Sequence, residues 1–143
     1  MPSGALHRIA YMSTAIGVLR AEELDRIYLR AQAANAGAGI TGLLLFYEGV
    51  FLQVLEGPPA GVTSLLERIR RDRRHSGLIV LESGPAEERS FGGSPMNFVS
   101  ARKLSAGEKE AFSELRQAVA ARGASSGLDL SGLLAAFGAV RTA

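Results

Sequence analysis

Two apolar runs near the middle of the chain, at 40–46 and 50–55, constrain its fold more than any other feature. Each run has the length of a strand. The three residues between them, Tyr47-Glu48-Gly49, end on a glycine, as tight turns between antiparallel strands often do. The pair is therefore predicted to form a β-hairpin, and the fold is predicted to contain a sheet.

Amphipathic helices are predicted on both sides of this hairpin. Before it, apolar residues recur at helical spacing over 21–31, and the glycines at 37 and 39 end the helix. After it, Gly57-Pro58-Pro59 begins a second helix, whose apolar stripe continues to about residue 74. Three shorter apolar segments are predicted to be further strands, at 6–13, 78–82 and 96–101.

The resulting order of elements is β-α-β-β-α-β-β. It predicts an α+β, ferredoxin-like fold with one extra strand, in which both helices cover one face of an antiparallel or mixed sheet. Two more amphipathic helices are predicted near the C-terminus, at 106–122 and 128–140. We expect residues 1–101 to form the main domain. Residues 102–143 would then form a helical extension that packs on the open sheet face or on another protomer.

Composition excludes several classes of site. The chain has 143 residues and no cysteine, which excludes disulfides, iron–sulfur clusters, thiolate zinc sites and a cysteine nucleophile. Neither histidine has a second ligand at a suitable spacing, so no metal site is predicted. No apolar run approaches the roughly 18 residues of a membrane span, and the N-terminus has no signal-peptide core. We therefore expect a cytoplasmic protein without a membrane partner.

Two glycine-rich segments match the sequence patterns of functional motifs, but neither lies between the secondary-structure elements that those motifs require. Residues 37–42 match the GxGxxG pattern of dinucleotide-binding loops, which follows a strand and opens a helix. Here the glycines end a helix and begin a strand. Residues 123–127 match the GxSxG pattern of a nucleophile elbow but lie between two predicted helices. We interpret the first motif as a helix-to-strand turn and the second as a linker.

Five arginines lie within residues 68–74 and raise the question of an anionic partner. They could hold a phosphate group or a nucleic-acid backbone. Glu67 and Asp72 lie among them, however, and aromatic residues on which bases could stack are absent from the run. With a formal charge of only +2 for the whole chain, a solvated surface or a cofactor-phosphate role is favoured over nucleic acid.

Tyr11, Asn35, Gln53 and Met96 form the most informative group of side chains. The first three lie on predicted faces whose other residues are apolar. Each alone is explained by packing or capping. Taken in order, they would be a core tyrosine, a helix cap, a buried amide and a thioether that fills a gap in the core. Together they suit hydrogen bonding around a planar aromatic ligand such as a flavin. Because the first and third strands can be neighbours in this topology, Tyr11 and Gln53 are predicted to lie within hydrogen-bonding distance.

At these residues the chain resembles the BLUF family of blue-light sensors that use FAD, over about residues 6–101. The segments that carry the resemblance are Ile9-Ala10-Tyr11-Met12-Ser13, Asn35 ahead of Gly39-Ile40-Thr41-Gly42, Phe51-Leu52-Gln53-Val54-Leu55-Glu56-Gly57, Arg68-Ile69 with Asp72-Arg73-Arg74-His75, and Arg89-Ser90-Phe91 leading to Met96. Two positions depart from the family pattern. Ser94 stands where many members have tryptophan, and Ala34 stands where relatives often have a polar residue.

The resemblance implies an isoalloxazine ring held between the two helices, with Asn35 bonding its pyrimidine edge and Ile40 packed beside it. Tyr11 would donate an electron and a proton, and Gln53 would relay between Tyr11 and the flavin. After excitation the Gln53 side chain would rotate or tautomerise. The fifth strand, near Met96, would carry this change in hydrogen bonding to the C-terminal helices. The residues implied to contact FAD are Tyr11, Ser13, Asn35, Ile40, Gln53, Arg68, Asp72 and His75, and those implied to be photoactive are Tyr11, Gln53 and Met96.

The resemblance favours a sensor over an enzyme. The expected protein is a blue-light photoreceptor that signals to a downstream protein, and it is expected to form homo-oligomers because the two tail helices carry apolar stripes. The alternative is a flavin-free, ferredoxin-like interaction module that has lost photochemistry. A flavin enzyme is disfavoured because the predicted pocket offers no catalytic acid, nucleophile or site for a second substrate.

Overall fold

A five-stranded sheet forms the centre of the fold. The computed structural model describes residues 5–73, 75–88, 97–99 and 106–122. The strands are β1 (Leu6–Ala15), β2 (Thr41–Tyr47), β3 (Val50–Gly57), β4 (His75–Ala86) and β5 (Asn97–Val99), and the helices are α1 (Ala21–Ala38), α2 (Pro59–Arg70) and α3 (Ala106–Arg122). This order confirms the predicted α+β, ferredoxin-like β-α-β-β-α-β-β pattern, with a helix after it.

The strands lie in the order β4-β1-β3-β2-β5. All neighbouring pairs are antiparallel except β2 and β5, which are parallel. The predicted hairpin is present, and Glu48 and Gly49 form its turn with positive φ angles of 50° and 78°. The predicted neighbourhood of the first and third strands is confirmed, because Tyr11 on β1 lies directly opposite Gln53 on β3. The centre of the sheet therefore carries the two residues.

The two faces of the sheet have different covers, because successive side chains of a strand point to opposite faces. One face, here called the α1–α2 face, packs against the first two helices through residues such as Ile9, Leu44 and Leu55. The opposite face, here called the α3 face, packs against Phe112 and Leu115 of the third helix. Helix α3 thus lies on the face that α1 and α2 leave open. Within the described residues, no helix is long and apolar enough to span a bilayer. The predicted helix at 128–140 lies outside the described residues.

The largest differences from the predicted boundaries are at α2 and β4. Helix α2 ends at Arg70, whereas the apolar stripe predicted its end near residue 74. Strand β4 extends from His75 to Ala86, well beyond the predicted 78–82. Both ends of β4 pair with β1, with two register irregularities between them, so cross-strand pairing extends β4 through glycine and proline positions that have low strand propensity. The pairing with β1 is the tertiary contact that the local sequence did not reveal.

The glycines at 37–42 end a helix and start a strand, which confirms their interpretation as a turn. Gly39 caps α1 in the left-handed conformation, with φ 70°, and its own N–H bonds back into the last helical turn. Gly42 lies on β2, where the backbone of β3 passes very close to its Cα. The motif therefore serves chain packing and not a pyrophosphate.

A Gly42→Ala variant is expected to lose at least about 3 kcal/mol of the free energy of unfolding. The added Cβ would overlap the backbone oxygen of Val54, which has no rotamer by which to move away. Urea unfolding followed by circular dichroism measures the loss. Gly37→Ala is the matched control: it lies inside α1 with nothing within 4 Å of its added Cβ, and should gain about 0.5–1 kcal/mol. Equal stability of the two variants would contradict this account.

Candidate functional site

A cavity of about 280 Å³ lies between the two helices and the sheet, at the α1–α2 face. This is close to the lower end of the roughly 300–1,000 Å³ range of small-molecule sites. Apolar side chains supply part of its wall, including Ile27, Leu44, Phe51 and Leu65. Among the residues implied to hold the cofactor, those that line the cavity are Tyr11, Ser13, Asn35, Gln53, Arg68, Asp72 and His75.

A buried hydrogen bond joins Tyr11 and Gln53 at the cavity wall. The phenol Oη of Tyr11 donates to the amide Oε1 of Gln53, and both residues are only 4% exposed. The bond exists because the antiparallel register places the two residues opposite each other with their side chains on the same face. A donor–acceptor pair that is shielded from water is thus aimed at the space where a ligand would lie.

The environment of Tyr11 keeps its phenol neutral. Burial raises the pKa of Tyr11 well above its ordinary value, because the phenolate would lose its hydration, and the negative charge of Asp72 raises this pKa further. Asp72 lies at the cavity wall, beyond the end of α2. The proton at Tyr11 Oη is therefore present throughout the physiological pH range.

This raised pKa predicts a pH dependence of stability. Above about pH 10, the phenol of Tyr11 ionises in the unfolded chain, whereas in the folded protein it retains its proton. The unfolded state then binds fewer protons, so the contribution of Tyr11 to stability is complete below about pH 10 and declines as the pH rises further. The stability of the protein relative to a Tyr11→Phe variant should therefore be smaller at about pH 11 than at about pH 8. Urea unfolding at both pH values measures this difference, and a constant difference would contradict the shift.

Two buried polar atoms at the cavity wall make no hydrogen bond to the described residues, the Oγ of Ser13 and the Nδ1 of His75. The Nε2 of His75 lies 2.9 Å from the carbonyl oxygen of Ile69. A carbonyl only accepts, so Nε2 carries the proton and Nδ1 of the neutral ring is an acceptor. Because buried polar atoms normally have partners, this pair of atoms indicates a ligand with complementary polar groups.

Aromatic packing fixes the position of the histidine ring. The ring centroids of His75 and Tyr11 are 6.5 Å apart at an interplanar angle of 26°. The His75 ring also meets Phe51 edge-on at 6.3 Å. His75 begins β4 and pairs with Ala15 at the end of β1, which brings it beside the cavity. The position of His75 is therefore determined by its pairing in the sheet, and not by the arginine-rich segment that precedes it in the sequence.

Asn35 reaches the cavity from the last part of α1. It is the residue of that helix that is fully buried, and its backbone oxygen accepts a hydrogen bond of 2.9 Å from the N–H of Ile40. Asn35 thus lies on the inward face of α1, as its spacing from Ala31 predicted. Arg68 lines the cavity from α2, and Arg30 lines it from α1, although both are exposed residues. Two arginines on different helices thus line the same cavity.

One residue implied to contact the cofactor does not line the cavity. Ile40 is buried in the core of the α1–α2 face and packs close to Gly57, but it does not line the cavity. Met96 and Ser94 lie outside the described residues. Sequence reasoning missed Arg30 as a lining residue. Its spacing of three from Ile27, which lines the same cavity, is the signal that could have revealed it.

The chain matches the family described as "BLUF: Sensors of blue-light using FAD" over residues 6–97. It is 39% identical over 98 residues to photoactivated adenylate cyclase subunit alpha of Euglena gracilis, a match that covers 68% of this chain and 10% of that protein. It is 35% identical over 86 residues to subunit beta of Euglena longa, with 60% and 10% covered. The chain spans about a tenth of the length of these curated relatives.

Solved structures with the same fold include the dark state of BlrB, a BLUF protein. That structure has a TM-score of 0.73 and 25% sequence identity, with 98% of this chain and 96% of that chain covered. A bacterial light-regulated adenylyl cyclase has a TM-score of 0.71 and 29% identity, with 80% of this chain and 34% of that chain covered. The similarity to BlrB thus extends over nearly the whole of both chains.

Proposed function

The chain belongs to the BLUF family, the sensors of blue light using FAD, and on this premise we propose that it is a blue-light photoreceptor with FAD bound between α1 and α2. The observation that carries the proposal is the buried hydrogen bond from Tyr11 to Gln53 at the cavity wall. The relatives with cyclase names are about ten times as long as the matched region. We propose a sensor without enzymatic activity of its own for the region that matches.

The side chains that line the cavity suit a flavin ring in their chemistry. Apolar and polar side chains line it together, a combination that can pack against a planar ring and also hold its polar groups. The Oγ of Ser13 and the Nδ1 of His75 supply a donor and an acceptor that the described residues leave unused. Asn35 would hold the polar edge of the ring, and Arg68 and Asp72 would lie near its phosphate-bearing chain. FAD is proposed because the family uses it.

Tyr11 is proposed to be the residue that gives up an electron and a proton. Once bound, the flavin supplies absorption of blue light and an excited state that accepts an electron. Tyr11 contributes a neutral phenol at the cavity wall, and its proton at Oη already lies on the hydrogen bond to Gln53 Oε1. The contact that holds the phenol therefore also gives its proton a path.

Gln53 is proposed to be the switch. One end of its amide only accepts hydrogen bonds and the other only donates them. Rotation or tautomerisation of the amide therefore exchanges donor and acceptor toward the same neighbours without moving a net charge. In a buried network this changes several hydrogen bonds together, because each polar group must find a new partner. Gln53 lies on the central strand β3, so the sheet receives the change.

The output is proposed to pass through α3 to a separate downstream protein. Phe112 of α3 packs edge-on against Tyr47, at 5.8 Å between ring centroids, and Arg116 pairs with Glu48 at 3.3 Å. Both contacts tie α3 to the hairpin that carries Gln53. Met96 is proposed to take part through the adjoining β5. The partner is unidentified. We also propose that the protein acts as a homo-oligomer.

A Ser13→Ala variant is expected to change ligand affinity and apoprotein stability in opposite directions. If Ser13 Oγ bonds the flavin, its loss should weaken FAD binding by about five- to tenfold. In the apoprotein the same change removes a buried hydroxyl without a described partner and should be neutral or stabilising by up to about 1 kcal/mol. Fluorescence titration of FAD and urea unfolding measure the two effects. Unchanged FAD affinity would remove Ser13 from the site.

Cofactor content tests the proposed function against a flavin-free interaction module. The purified protein is expected to be yellow, to carry close to one flavin per chain, and to release FAD on denaturation. Chromatography of the released cofactor distinguishes FAD from FMN. A colourless protein that also fails to bind added FAD would favour the interaction module, which would use the same scaffold without photochemistry.

A further inference from the structure

A row of polar side chains is buried on the α3 face, which is opposite to the cavity. Glu56 on β3 is completely buried. Its Oε1 accepts a hydrogen bond of 3.0 Å from the Oγ1 of Thr41 on β2, and its Oε2 accepts bonds of 3.3 Å from Nε and Nη2 of Arg8 on β1. The three residues lie opposite one another in the sheet register. The row thus links three adjacent strands.

The complete burial of Glu56 indicates that its partners hold it in one arrangement. A buried carboxylate is strongly destabilising unless it is paired and hydrogen-bonded, and removal of one partner exposes that cost. Arg8 is itself largely buried, with an 18% exposed side chain. By contrast, the ion pair between Glu67 and Arg70 on α2 joins two side chains that are 56% and 42% exposed. The buried row therefore resists rearrangement, whereas the exposed pair does not.

Arg8 extends this row to the end of β4. Its Nη2 also donates a hydrogen bond of 3.1 Å to the backbone oxygen of Glu88, two residues after β4 ends. β4 and β5 lie on opposite edges of the sheet, with β1, β3 and β2 between them. With strands about 4.8 Å apart, these edges are separated by roughly 19 Å. Arg8 therefore fixes the chain where it leaves one edge, and Thr41 lies on β2, the strand that pairs with β5.

We propose that Arg8 and Glu56 are positioning residues that couple the central strand to β5. Glu56 is three residues from Gln53 on β3, so a displacement of this strand moves both. Through Arg8 and Thr41 the movement reaches the end of β4 and the strand beside β5. The inference rests on the proposed function for its light-driven part, because Gln53 is the proposed source of the movement. In the dark the row holds the chain just after β4 through Arg8, and we expect it to steady β5 indirectly, because Thr41 lies two residues before the segment of β2 that pairs with β5.

Hydrogen exchange measured by mass spectrometry in the dark tests the structural part of this coupling. A Glu56→Gln variant keeps the shape and removes the charge that Arg8 binds. Its exchange in peptides covering 87–88 and 97–99 should be about tenfold faster than in the wild type. Arg8→Lys, which loses the planar fork, should give the same direction of change. Glu67→Gln removes an exposed charge as a matched control and should have no effect. Equal exchange in all four proteins would overturn the proposal.

Illumination tests the functional part on the same flavin-loaded proteins. Glu56→Gln should keep the light-induced absorption shift, because Glu56 lies on the face away from the cavity, yet should lose most of the light-dependent exchange change in 97–99 and α3. A full light-dependent change in this variant, or loss of its absorption shift, would overturn the proposal. If the wild type itself shows no absorption shift, the proposed function fails, and the dark comparison still decides whether the row positions β5.

Discussion

A Tyr11→Phe variant is expected to bind FAD about as well as the wild type and to show no light-induced shift of the flavin absorption band. Phenylalanine keeps the ring that packs beside His75 and in the core of the α1–α2 face. It lacks the hydroxyl that donates to Gln53, and a phenyl ring is a far poorer source of an electron and has no proton to release. Absorption spectra recorded before and after blue illumination measure the loss.

Tyr28→Phe is the matched control for this variant. Tyr28 lies on α1 and packs against the same core, but its hydroxyl accepts a hydrogen bond of 3.1 Å from Gln32 and it does not line the cavity. The control should keep the whole light response. A normal response in Tyr11→Phe would refute the role of Tyr11, and loss of flavin from that variant would show that its hydroxyl serves binding.

A Gln53→Leu variant is expected to lose the light-induced shift and also stability. Leucine has a similar volume but neither end of the amide, so the buried hydroxyl of Tyr11 loses its acceptor. An unsatisfied buried hydroxyl costs about 1–3 kcal/mol, which should appear in the free energy of unfolding of the apoprotein. Blue illumination of the flavin-loaded variant should leave the absorption band in its dark position, because no amide remains to exchange donor and acceptor.

The double variant Tyr11→Phe, Gln53→Leu separates the two effects. With both polar partners replaced, no buried hydroxyl lacks an acceptor, so the apoprotein should recover part of the stability that Gln53→Leu loses. Gln32→Leu is the matched control, since Gln32 is a half-buried amide that bonds Tyr28 away from the cavity. It should keep the light response. Additive losses in the double variant would contradict a direct bond between Tyr11 and Gln53.

The sequence predicted the centre of the fold because local signals and tertiary structure agree there. The hairpin, the helix capped by Gly39 and the neighbourhood of β1 and β3 follow from periodicity, glycine positions and topology. The extents of β4 and α2 did not follow. Strand β4 includes glycine, serine and proline, and it is extended because β1 pairs with it at both ends.

Part of the site was predictable for a simple reason. Gln53 and Asn35 are amides on apolar faces, a pattern that requires a buried partner or ligand. Ser13 and His75 carry no such signal on their own, since a serine at a strand end and a histidine after an arginine run are most often exposed. Only the resemblance implied them, and only the sheet register shows why they face the cavity.

The most direct test of the photoreceptor function is the visible absorption spectrum of the purified protein in the dark, under blue light and after return to the dark. We predict a flavin band that shifts to longer wavelength on illumination and returns to its original position in darkness, with Tyr11 and Gln53 both required. A bound flavin whose band only bleaches, or does not change at all, would contradict it.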